Sequence, residues 1–558
     1  MAEYLHFSRD SRLYMAKDGY LWSIPVLDGF SFSQATNASE ITLNEMEDAS
    51  GRSRRGRKMF TDSLSAAEWS FSSYIRPFKS AGSKSATNGV ADSSANHQHA
   101  VEEAPWVAMA GQNVYVPSTG KFKHGANGGA LTSLVITSGA TDADSGDRAA
   151  GTYTIAVPTV GADADASATV AAGSGSNTGG TNAVVTVVVD SNKTATVSIS
   201  ERGTGFDTGN TITIGDELLG GDGSGDELVL TVTSESFTSD ATDLNINFYD
   251  SSRASLGTFD LYYVFSDRSA GRLLYKLENA VVNEASVDFD IDGIATINWS
   301  GMAGQIKEVS GGLGAGQYTA ATAEPTASAA GAIWIDTDDS DRFHMSTGSG
   351  SGSWWAAIDE ATTSTSNFIR NRLTNLTLAP EAAFKAATTF DRAGDGVADE
   401  NYEDSYSVAI TGGNVTFSNN ISYLTPEELG KVNQPLEHIT GPRSVTGSLT
   451  CYLASSDAAT NRSRDLFADL VSDINTVINK FAITLQVGGT DTTKPRFEIS
   501  LPTAHLEIPS HSVEDVISLE TNFHGLGTGV SEGDEATIRY IGVSVSYTHL
   551  TLPTNREV

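Results

Sequence analysis

Clustered carboxylates are the residues of this chain that most invite a chemical role, because aspartate-rich loops can bind calcium. Two runs qualify, residues 336–341 and residues 391–396. An EF-hand loop requires glycine at its sixth position and a bidentate glutamate at its twelfth, but the first run has Asp341 and Thr347 there. The second run has Tyr402 at the twelfth position. Both runs are therefore predicted to be solvated turns, and no metal is expected.

The remaining candidate motifs do not combine into an active site. His97 and His99 place two imidazoles on one side of an extended segment, but a metal would need further ligands that the neighbouring sequence lacks. A flexible surface loop is the favoured interpretation there. The glycine-rich residues 312–316 lack the following helix of a dinucleotide-binding loop and are predicted to be a linker. Cys451 is the only cysteine, so we predict no disulfide framework and no thiolate metal cluster. The sequence has no Gly-x-Ser-x-Gly elbow, Walker loop or paired His-Glu metal motif, so no enzyme and no cofactor are predicted.

A basic cluster is the strongest local anomaly in an otherwise acidic chain. Five cations fall within residues 52–58, namely Arg52, Arg54, Arg55, Arg57 and Lys58. They could contact either DNA phosphates or an acidic protein surface. Because complementary charge steers and registers protein contacts, a docking loop that meets an acidic neighbour is the preferred interpretation.

Composition narrows the class of protein. The 558 residues are enough for about three or four domains, and 54 glycines with 8% aromatic residues favour solvated β structure with many turns. The formal net charge of −34 argues against a protein that grips nucleic acid by its phosphates, which needs a basic face. General solubility and the lining of a channel for DNA both stay open as reasons for the acidity. The sequence shows no apolar leader and no long apolar run, so secretion and membrane insertion are not expected.

One stretch of the chain is repeated. Residues 277–301 align without a gap on residues 501–525, and each copy follows a β-rich run that begins with phenylalanine, Phe259 and Phe481 respectively. The repeat predicts two related β modules. A chain that carries one module twice presents the same surface twice.

Strands are also predicted before the first repeat, where apolar and polar residues alternate. They occupy residues 20–26, 29–33 and 68–75. The polar residues 36–65 are predicted to form a long loop, and long loops in compact domains are usually functional. The second half of the chain follows the same order, with its loop at residues 421–442.

Each module is predicted to carry one flanking helix. The first is expected within residues 100–110, where Pro105 interrupts or restarts the pattern. The second is expected over residues 464–477, capped by Ser463, with apolar residues at helical spacing on one face. That face is predicted to be core rather than a binding groove.

Two insertions and one foreign segment complete the chain. Residues 129–240 hold regularly spaced short strands between turns rich in Gly and Asp, which predicts an inserted all-β domain. Residues 311–366 hold two strand-like pieces around an acidic turn and form a smaller β insertion. Both insertions are expected to face outward. Residues 544–558 resemble the translation of a sequencing adapter and are left out of the fold prediction, with the natural C-terminus expected near Val543.

With its modules laid out, the chain resembles the tail tube proteins of tailed bacteriophages. The similarity rests on residues 29–33, on residues 54–78 with Asp62 and Trp69, and on the corresponding features of the second half. It implies a mainly β fold with two β-sandwich or barrel tube modules, each with a flanking helix, plus an inserted all-β domain and a small β insertion. The expected division is module 1 at 1–128 and 241–310, the inserted domain at 129–240, the small insertion at 311–366, module 2 at 367–543 and the non-native tail at 544–558.

The resemblance also implies a function. Modules of this family contribute strands to a continuous inner barrel, so three chains with two modules each would form a pseudo-sixfold ring. Rings would stack through the two long loops. The candidate docking residues of the second loop are Glu427, Glu428 and Lys431. The expected role is structural, a self-assembled tube through which genome DNA is ejected without specific binding.

Partners and location follow from the same resemblance. The partners would be other copies of the chain, the tape measure and tail terminator proteins, and a sheath if the tail is contractile, with no membrane partner. The location would be the virion tail, after assembly in the host cytoplasm. The alternative from another class is a virion-surface or extracellular adhesin, with the Gly- and Asp-rich insertions as its binding parts.

Overall fold

A computed structural model describes most of the chain. The described residues are 6–17, 20–27, 29–43, 56–82, 89–91, 96–111, 131–141, 148–157, 176–177, 181–204, 206, 209–221, 227–235, 237–239, 243–248, 256–267, 271–360, 367–388, 390, 405–429, 432–455, 461–472, 479–491, 494–529 and 533–542. The non-native tail predicted at 544–558 lies outside them.

The first part of the chain contains strands and one short helix. These are β1 Ser11–Lys17, β2 Tyr20–Ile24, β3 Ser31–Leu43, β4 Gly56–Tyr74, β5 Pro77–Lys79, β6 Gln98–Ala100 and α1 Glu103–Ala110. β3 and β4 form one long antiparallel hairpin. The loop predicted at 36–65 is therefore wrong for residues 36–43 and 56–65, which are strands. Most of their described side chains are exposed on both faces, so the alternation that predicts a half-buried strand is missing.

Helix α1 confirms the helix predicted within residues 100–110. All of its side chains are buried, and apart from Glu103 the helix is apolar on every side, as expected for a helix inside a core. Pro105 lies in the first turn, where its missing N–H costs no intrahelical hydrogen bond.

The second part of the chain is all β. It contains β7 Leu131–Ser138, β8 Gly151–Ala156, β9 Ser176–Asn177, β10 Thr181–Val189, β11 Ala195–Thr204, β12 Thr211–Ile214, β13 Leu228–Glu235 and β14 Phe237–Ser239. β8, β10 and β11 form one sheet, and β7, β13, β12 and β9 form another. The two sheets share a hydrophobic cluster of their own, beside which Arg148 and Asp216 form a buried ion pair at 3.2 Å. The short strands predicted here are confirmed, while the domain boundaries stay a prediction.

The next strands lead through the first copy of the repeat. They are β15 Asp243–Asn247, β16 Phe259–Asp267, β17 Gly271–Asp290, β18 Thr296–Ala303 and β19 Gln305–Glu308. The first half of β17 pairs with β16 and β19, and its second half pairs with β18. A left-handed residue, Asn279, and a register shift after Val282 mark the change of neighbours.

A small sheet follows, formed by β20 Tyr318–Ala321, β21 Ile333–Asp336, β22 Arg342–Ser346 and β23 Trp354–Ala356. Its apolar face packs on the outer face of β1 and β16, where Ile333 and Phe343 share one cluster with Tyr14 and Tyr262. The acidic run 336–341 forms the turn between β21 and β22.

The last part of the chain holds the second copy of the repeat. Its elements are β24 Asn375–Pro380, α2 Ala382–Ala386, β25 Tyr406–Ser407, β26 Ile410–Ser418, β27 Ser422–Leu424, β28 Glu437–Ile439, β29 Ser444–Tyr452, α3 Ser463–Leu470, β30 Phe481–Val487, β31 Arg496–Leu506, β32 Ser510–Val513, β33 Ile517–Leu526 and β34 Thr537–Ile541.

The cap predicted for α3 is wrong. Ser463 is the first residue of the helix, and its hydroxyl donates to the carbonyl of Tyr452 at 2.6 Å. Arg462 holds the N-cap position instead, and its backbone N–H donates to the Asp465 carboxylate at 2.9 Å. The Ser463 hydroxyl thus links the start of the helix to the end of β29 by a hydrogen bond. The helix itself ends at Leu470, earlier than predicted, and residues 473–478 lie outside the described part of the chain.

Two layers of strands enclose the main core, which confirms a mainly β fold. The first layer, called the polar sheet below, is an antiparallel sheet of strand order β3-β4-β18-β17-β26-β29-β33-β32. One of its faces is apolar and buried, with Trp69, Trp299 and Phe417 in the core, while its other face is polar. The second layer, which includes β1, β16, β24 and β30, packs on the apolar face. β15 from the first half continues this layer by pairing with β34.

The two copies of the repeat make corresponding strand pairs. β16 pairs with β17 and β30 pairs with β31, each with a register shift directly after its leading phenylalanine, Phe259 or Phe481. Gly301 then pairs across to β4, as Gly525 pairs across to β29. β4 and β29 therefore occupy corresponding places, and so do their outer neighbours β3 and β26.

Candidate assembly surfaces

Strand pairing joins the two halves of the chain, at a junction that we call the inner joint. The second half of β17 pairs antiparallel with β26, from Glu284↔Ser418 to Asp290↔Gly412. β17 therefore has a neighbour on both edges, and its backbone polar groups are used as buried strands require. The inner joint makes the polar sheet continuous across both halves.

Two polar side chains fasten the inner joint to the end of helix α1. The Asn419 amide donates to the carbonyls of Met109 and Val282, both at 3.1 Å. The Arg443 guanidinium donates to the carbonyl of Ala110 at 3.2 Å. These bonds satisfy the last carbonyls of a buried helix, which have no partner within the helix. Sequence reasoning missed both residues, because no local pattern connects them to a helix more than 300 positions away.

Trp106 is the apolar centre of the inner joint. Its ring packs edge-on against Trp299 at 4.9 Å and against Phe417 at 5.2 Å between ring centroids. Its indole N–H donates to the hydroxyl of Tyr540 at 2.7 Å. One side chain from the first half thus packs on strands from both halves, in the edge-to-face geometry that aromatic rings prefer.

A buried carboxylate lies beside Trp106. Glu102 is completely buried, and burial raises its pKa to about 7, against opposing contributions from Tyr540 and Arg76. Burial also raises the pKa of the Tyr540 hydroxyl and lowers that of the Arg76 guanidinium. The charged form of each group is therefore disfavoured in this part of the core.

The segment that contains His97 and His99 differs from the prediction. Gln98 and His99 are fully buried on β6, so the predicted flexible surface loop is wrong. The Nδ1 atom of His99 lies 2.9 Å from a carboxylate oxygen of Glu103, four residues further on in α1. This partner makes burial of the imidazole tolerable.

Neither a metal cluster nor a membrane helix is found in the described parts of the chain. There, no group of three or more His, Cys, Asp or Glu side chains is placed to hold a metal ion. The acidic run 391–396 lies outside the described residues. No described helix has the length and apolar character needed to cross a bilayer.

The two outermost strands of the polar sheet have open edges. Within the described residues, β3 pairs only with β4, and β32 pairs only with β33. Leu453 N–H donates to the Ile517 carbonyl at 2.9 Å. In β33 the backbone N–H and C=O groups of the odd-numbered residues therefore point toward β29. By the alternation of antiparallel ladders, Ser510 and Ser512 face β33, and the N–H groups of His511 and Val513 point outward. Each open edge corresponds to one side of the inner joint.

Two loops project from one end of the polar sheet. Along β4 the pairing with β18 begins at Ala67, so the preceding residues 56–66 extend beyond β18 by roughly 35 Å at about 3.3 Å per residue. Leu64 N–H donates to the Asn433 carbonyl at 2.8 Å, and Asn433 N–H donates to the Asp62 carbonyl at 3.0 Å. The hairpin is therefore hydrogen-bonded to the second loop, residues 421–442.

Some of the predicted docking residues lie on these loops. Lys58 is exposed, with its Nζ atom 4.9 Å from the ring centroid of Phe60, and Glu427 and Glu428 are exposed on the second loop. The backbone of Arg57 belongs to β4. Arg52, Arg54, Arg55 and Lys431 lie outside the described residues. A docking role for all eight residues stays a prediction.

The fold is that of a mainly β protein. The chain is similar to Tail tube protein pb6 of Escherichia phage T5, with 23% identity over 557 residues, which cover 98% of this chain and 78% of that protein. This relative confirms the resemblance to bacteriophage tail tube proteins and supports a structural role in the tail tube. No protein-family model matches the chain.

Proposed function

We propose that three copies of this chain close into a ring and that such rings stack into the tube of a phage tail. The inner joint carries the proposal, because it joins the two halves within the polar sheet, while β3 and β32 leave open the edges that would make the same junction with another copy. Head-to-tail pairing of β32 with β3 of the next copy would repeat the inner joint. It would also use backbone groups that are otherwise left on exposed edges.

The polar face of the sheet would line the channel. The second layer and the small sheet β20–β23 both lie on the apolar side of the polar sheet. In a closed ring the bulkier side must lie at the larger distance from the ring axis, so the polar face would lie inside. Exposed carboxylates on this face are Glu68, Glu284, Asp288, Asp290 and Glu520. Apart from Arg57 and Lys58 in the projecting hairpin, and Arg272 and Lys276 in the first half of β17, which pairs with β16 and β19, the eight strands of the polar sheet contain no Lys or Arg. A lining with the same sign of charge as phosphate lets DNA pass without binding.

The same role supplies the location and the other partners of the proposal. The protein would be part of the virion tail after assembly in the host cytoplasm. The tape measure protein would lie in the channel and the tail terminator at its end, with a sheath outside if the tail contracts.

Electron microscopy and native mass spectrometry of the purified full-length chain test the proposal. Rings with three copies, alone or stacked into rods, are the expected result. A chain that stays monomeric at high concentration and binds glycans would contradict it and favour the adhesin.

A further inference from the structure

We infer that a calcium ion binds at one end of the inner joint, in a small cavity lined by both halves of the chain. The donors are the Asp290 carboxylate, the side-chain oxygen of Asn371 and the hydroxyl of Thr374, which all line this cavity. The inference goes beyond the proposed function, because the site lies within one chain and needs no ring. No sequence motif predicts it, because the donors come from two distant segments.

The cavity lies where the pairing of β17 with β26 finishes, at Asp290↔Gly412. Its volume is about 40 Å³, and a single water requires about 10–15 Å³, so an ion fits there together with one or two waters. The lining comes from residues 289–291 around the end of β17, residues 410–412 at the start of β26, and the segment 371–374 before β24.

Two buried oxygen atoms of this cavity have no hydrogen-bond partner among the described residues. They are Oδ1 of Asn371 and Oγ1 of Thr374. Asn371 is only 7% exposed, and leaving an amide oxygen unpartnered at that depth costs free energy. Both atoms offer lone pairs, so the group that satisfies them is a hydrogen-bond donor or a cation.

The backbone holds both of these side chains at the cavity. Residues Asn371–Leu373 form a short 3₁₀ turn, and the Thr374 N–H donates to the Asn371 carbonyl at 2.8 Å. The Asn371 N–H donates to the carbonyl of Gly293 at 3.2 Å. The segment is thereby fixed against the turn between β17 and β18, where the cavity lies.

Asp290 supplies the negative charge that the two neutral oxygens lack. A Cβ placed on Gly412 would lie 3.3 Å from Oδ1 of Asp290, so the carboxylate leans across the joint toward this glycine. Arg372 also lines the cavity, but its guanidinium lies 3.4 Å from the Asp292 carboxylate, and both side chains are largely exposed. Solvent therefore screens the charge of Arg372.

This set of donors fits calcium better than magnesium. Ca²⁺ accepts carboxylate and amide oxygens together with waters in irregular geometry, whereas Mg²⁺ demands a near-ideal octahedron and keeps most of its waters. One carboxylate among neutral oxygens makes a weak site, so we expect a Kd of about 10⁻⁴–10⁻³ M. A bound ion would link β17, the segment 371–374 and β26, and would stabilise the inner joint.

Calcium titration of the full-length chain tests the inference. Isothermal titration calorimetry with CaCl₂ should show one ion per chain, and Asp290→Asn should weaken binding by about tenfold or more because it removes the charged ligand. The matched control is Asp288→Asn, the same charge change two residues earlier on the same exposed face. Asp288 does not line the cavity, so the control should bind calcium as tightly as the parent.

Asn371→Asp distinguishes a bound ion from an ordered water. In a chelator the variant should melt at a lower temperature than the parent, because it buries a second carboxylate without a partner. Calcium should restore its melting temperature and bind about tenfold more tightly than to the parent. If a water is the only occupant, calcium will change the melting temperature of neither protein, which would overturn the inference.

The remaining outcomes are equally decisive. Unchanged calcium binding in Asp290→Asn would overturn the site. Equal weakening by Asp288→Asn would do so as well, because it would indicate diffuse attraction of cations to the polar face. A chain that binds calcium as expected but forms no rings would contradict the proposed function and leave the calcium site standing.

Discussion

The two long helices of the chain differ in what covers them. α1 lies at the inner joint and is buried on every side. α3 lies beside the open edge, with the Phe467 ring 4.4 Å from His511 of β32, and it leaves Ala468 and Val471 exposed. α1 is nearly all apolar, whereas α3 is amphipathic. α1, where the other half of the chain adjoins it, is fully covered and α3 is not, as expected if the α3 edge receives a second copy in the proposed ring.

Blocking the open edge should have the largest effect. His511→Pro with Val513→Pro removes two outward N–H groups, and an edge strand tolerates such prolines. We expect a folded chain with complete loss of rings, measured by light scattering after size exclusion and by thermal melting. The matched control, His511→Ala with Val513→Ala, keeps both N–H groups and should form rings. Rings from the proline variant would show that β32 is not the ring contact.

Replacing one aromatic side chain on each helix by alanine measures directly how well each helix is buried. Trp106→Ala removes a fully buried ring and should lower the free energy of unfolding by about 3–5 kcal/mol. Phe467→Ala removes a half-buried ring and should cost about 1 kcal/mol in the isolated chain. Urea unfolding at a protein concentration low enough to keep the chain monomeric gives both values. Equal losses would mean that α3 is as well covered in one chain as α1.

The inner joint should also be sensitive to pH through Glu102. Its pKa of about 7 in the folded chain lies above the ordinary value of about 4.3 in the unfolded chain, so folding favours the protonated form. This contribution to stability is complete below pH of about 4 and is lost as the pH rises through about 7.

Glu102→Gln removes that dependence. The variant should match the parent near pH 4 and be more stable by about 3 kcal/mol at pH 8, where the parent must ionise a buried carboxyl. Glu308→Gln, an exposed change, is the control and should match the parent at both pH values. A constant offset between Glu102→Gln and the parent would contradict the raised pKa.

Two corresponding glycines should respond differently to the same substitution. A Cβ at Gly301 would lie 2.1 Å from the Val281 carbonyl and 2.3 Å from the Trp69 ring, whereas at Gly525 the nearest atom, on Val445, is 3.1 Å away. Gly301→Ala should therefore cost about 1–3 kcal/mol, and Gly525→Ala less than about 1 kcal/mol. Thermal melting of both variants checks this order, which equal shifts would contradict.

Local patterns predicted the strands that bury one face and the approximate place of both helices. They failed where stability comes from distant residues. In the hairpin, the side chains of residues 36–40 and 58–62 are exposed, so these residues lack the apolar alternation by which a half-buried strand is predicted. His99 was predicted at the surface, because the sequence pattern did not show that Glu103 would be the partner of its buried imidazole. Asn419 and Arg443 gain their role only when α1 ends beside them. The resemblance to tail tube proteins supplied the class, while the open edges needed the strand register.

A density map of one assembled ring tests the central claim most directly. We predict three copies, with β32 of each copy antiparallel to β3 of the next as β17 is to β26 in the inner joint. Asp288 and Glu520 should face the channel. A ring with another number of copies, or one in which β3 and β32 remain open to solvent, would contradict the account.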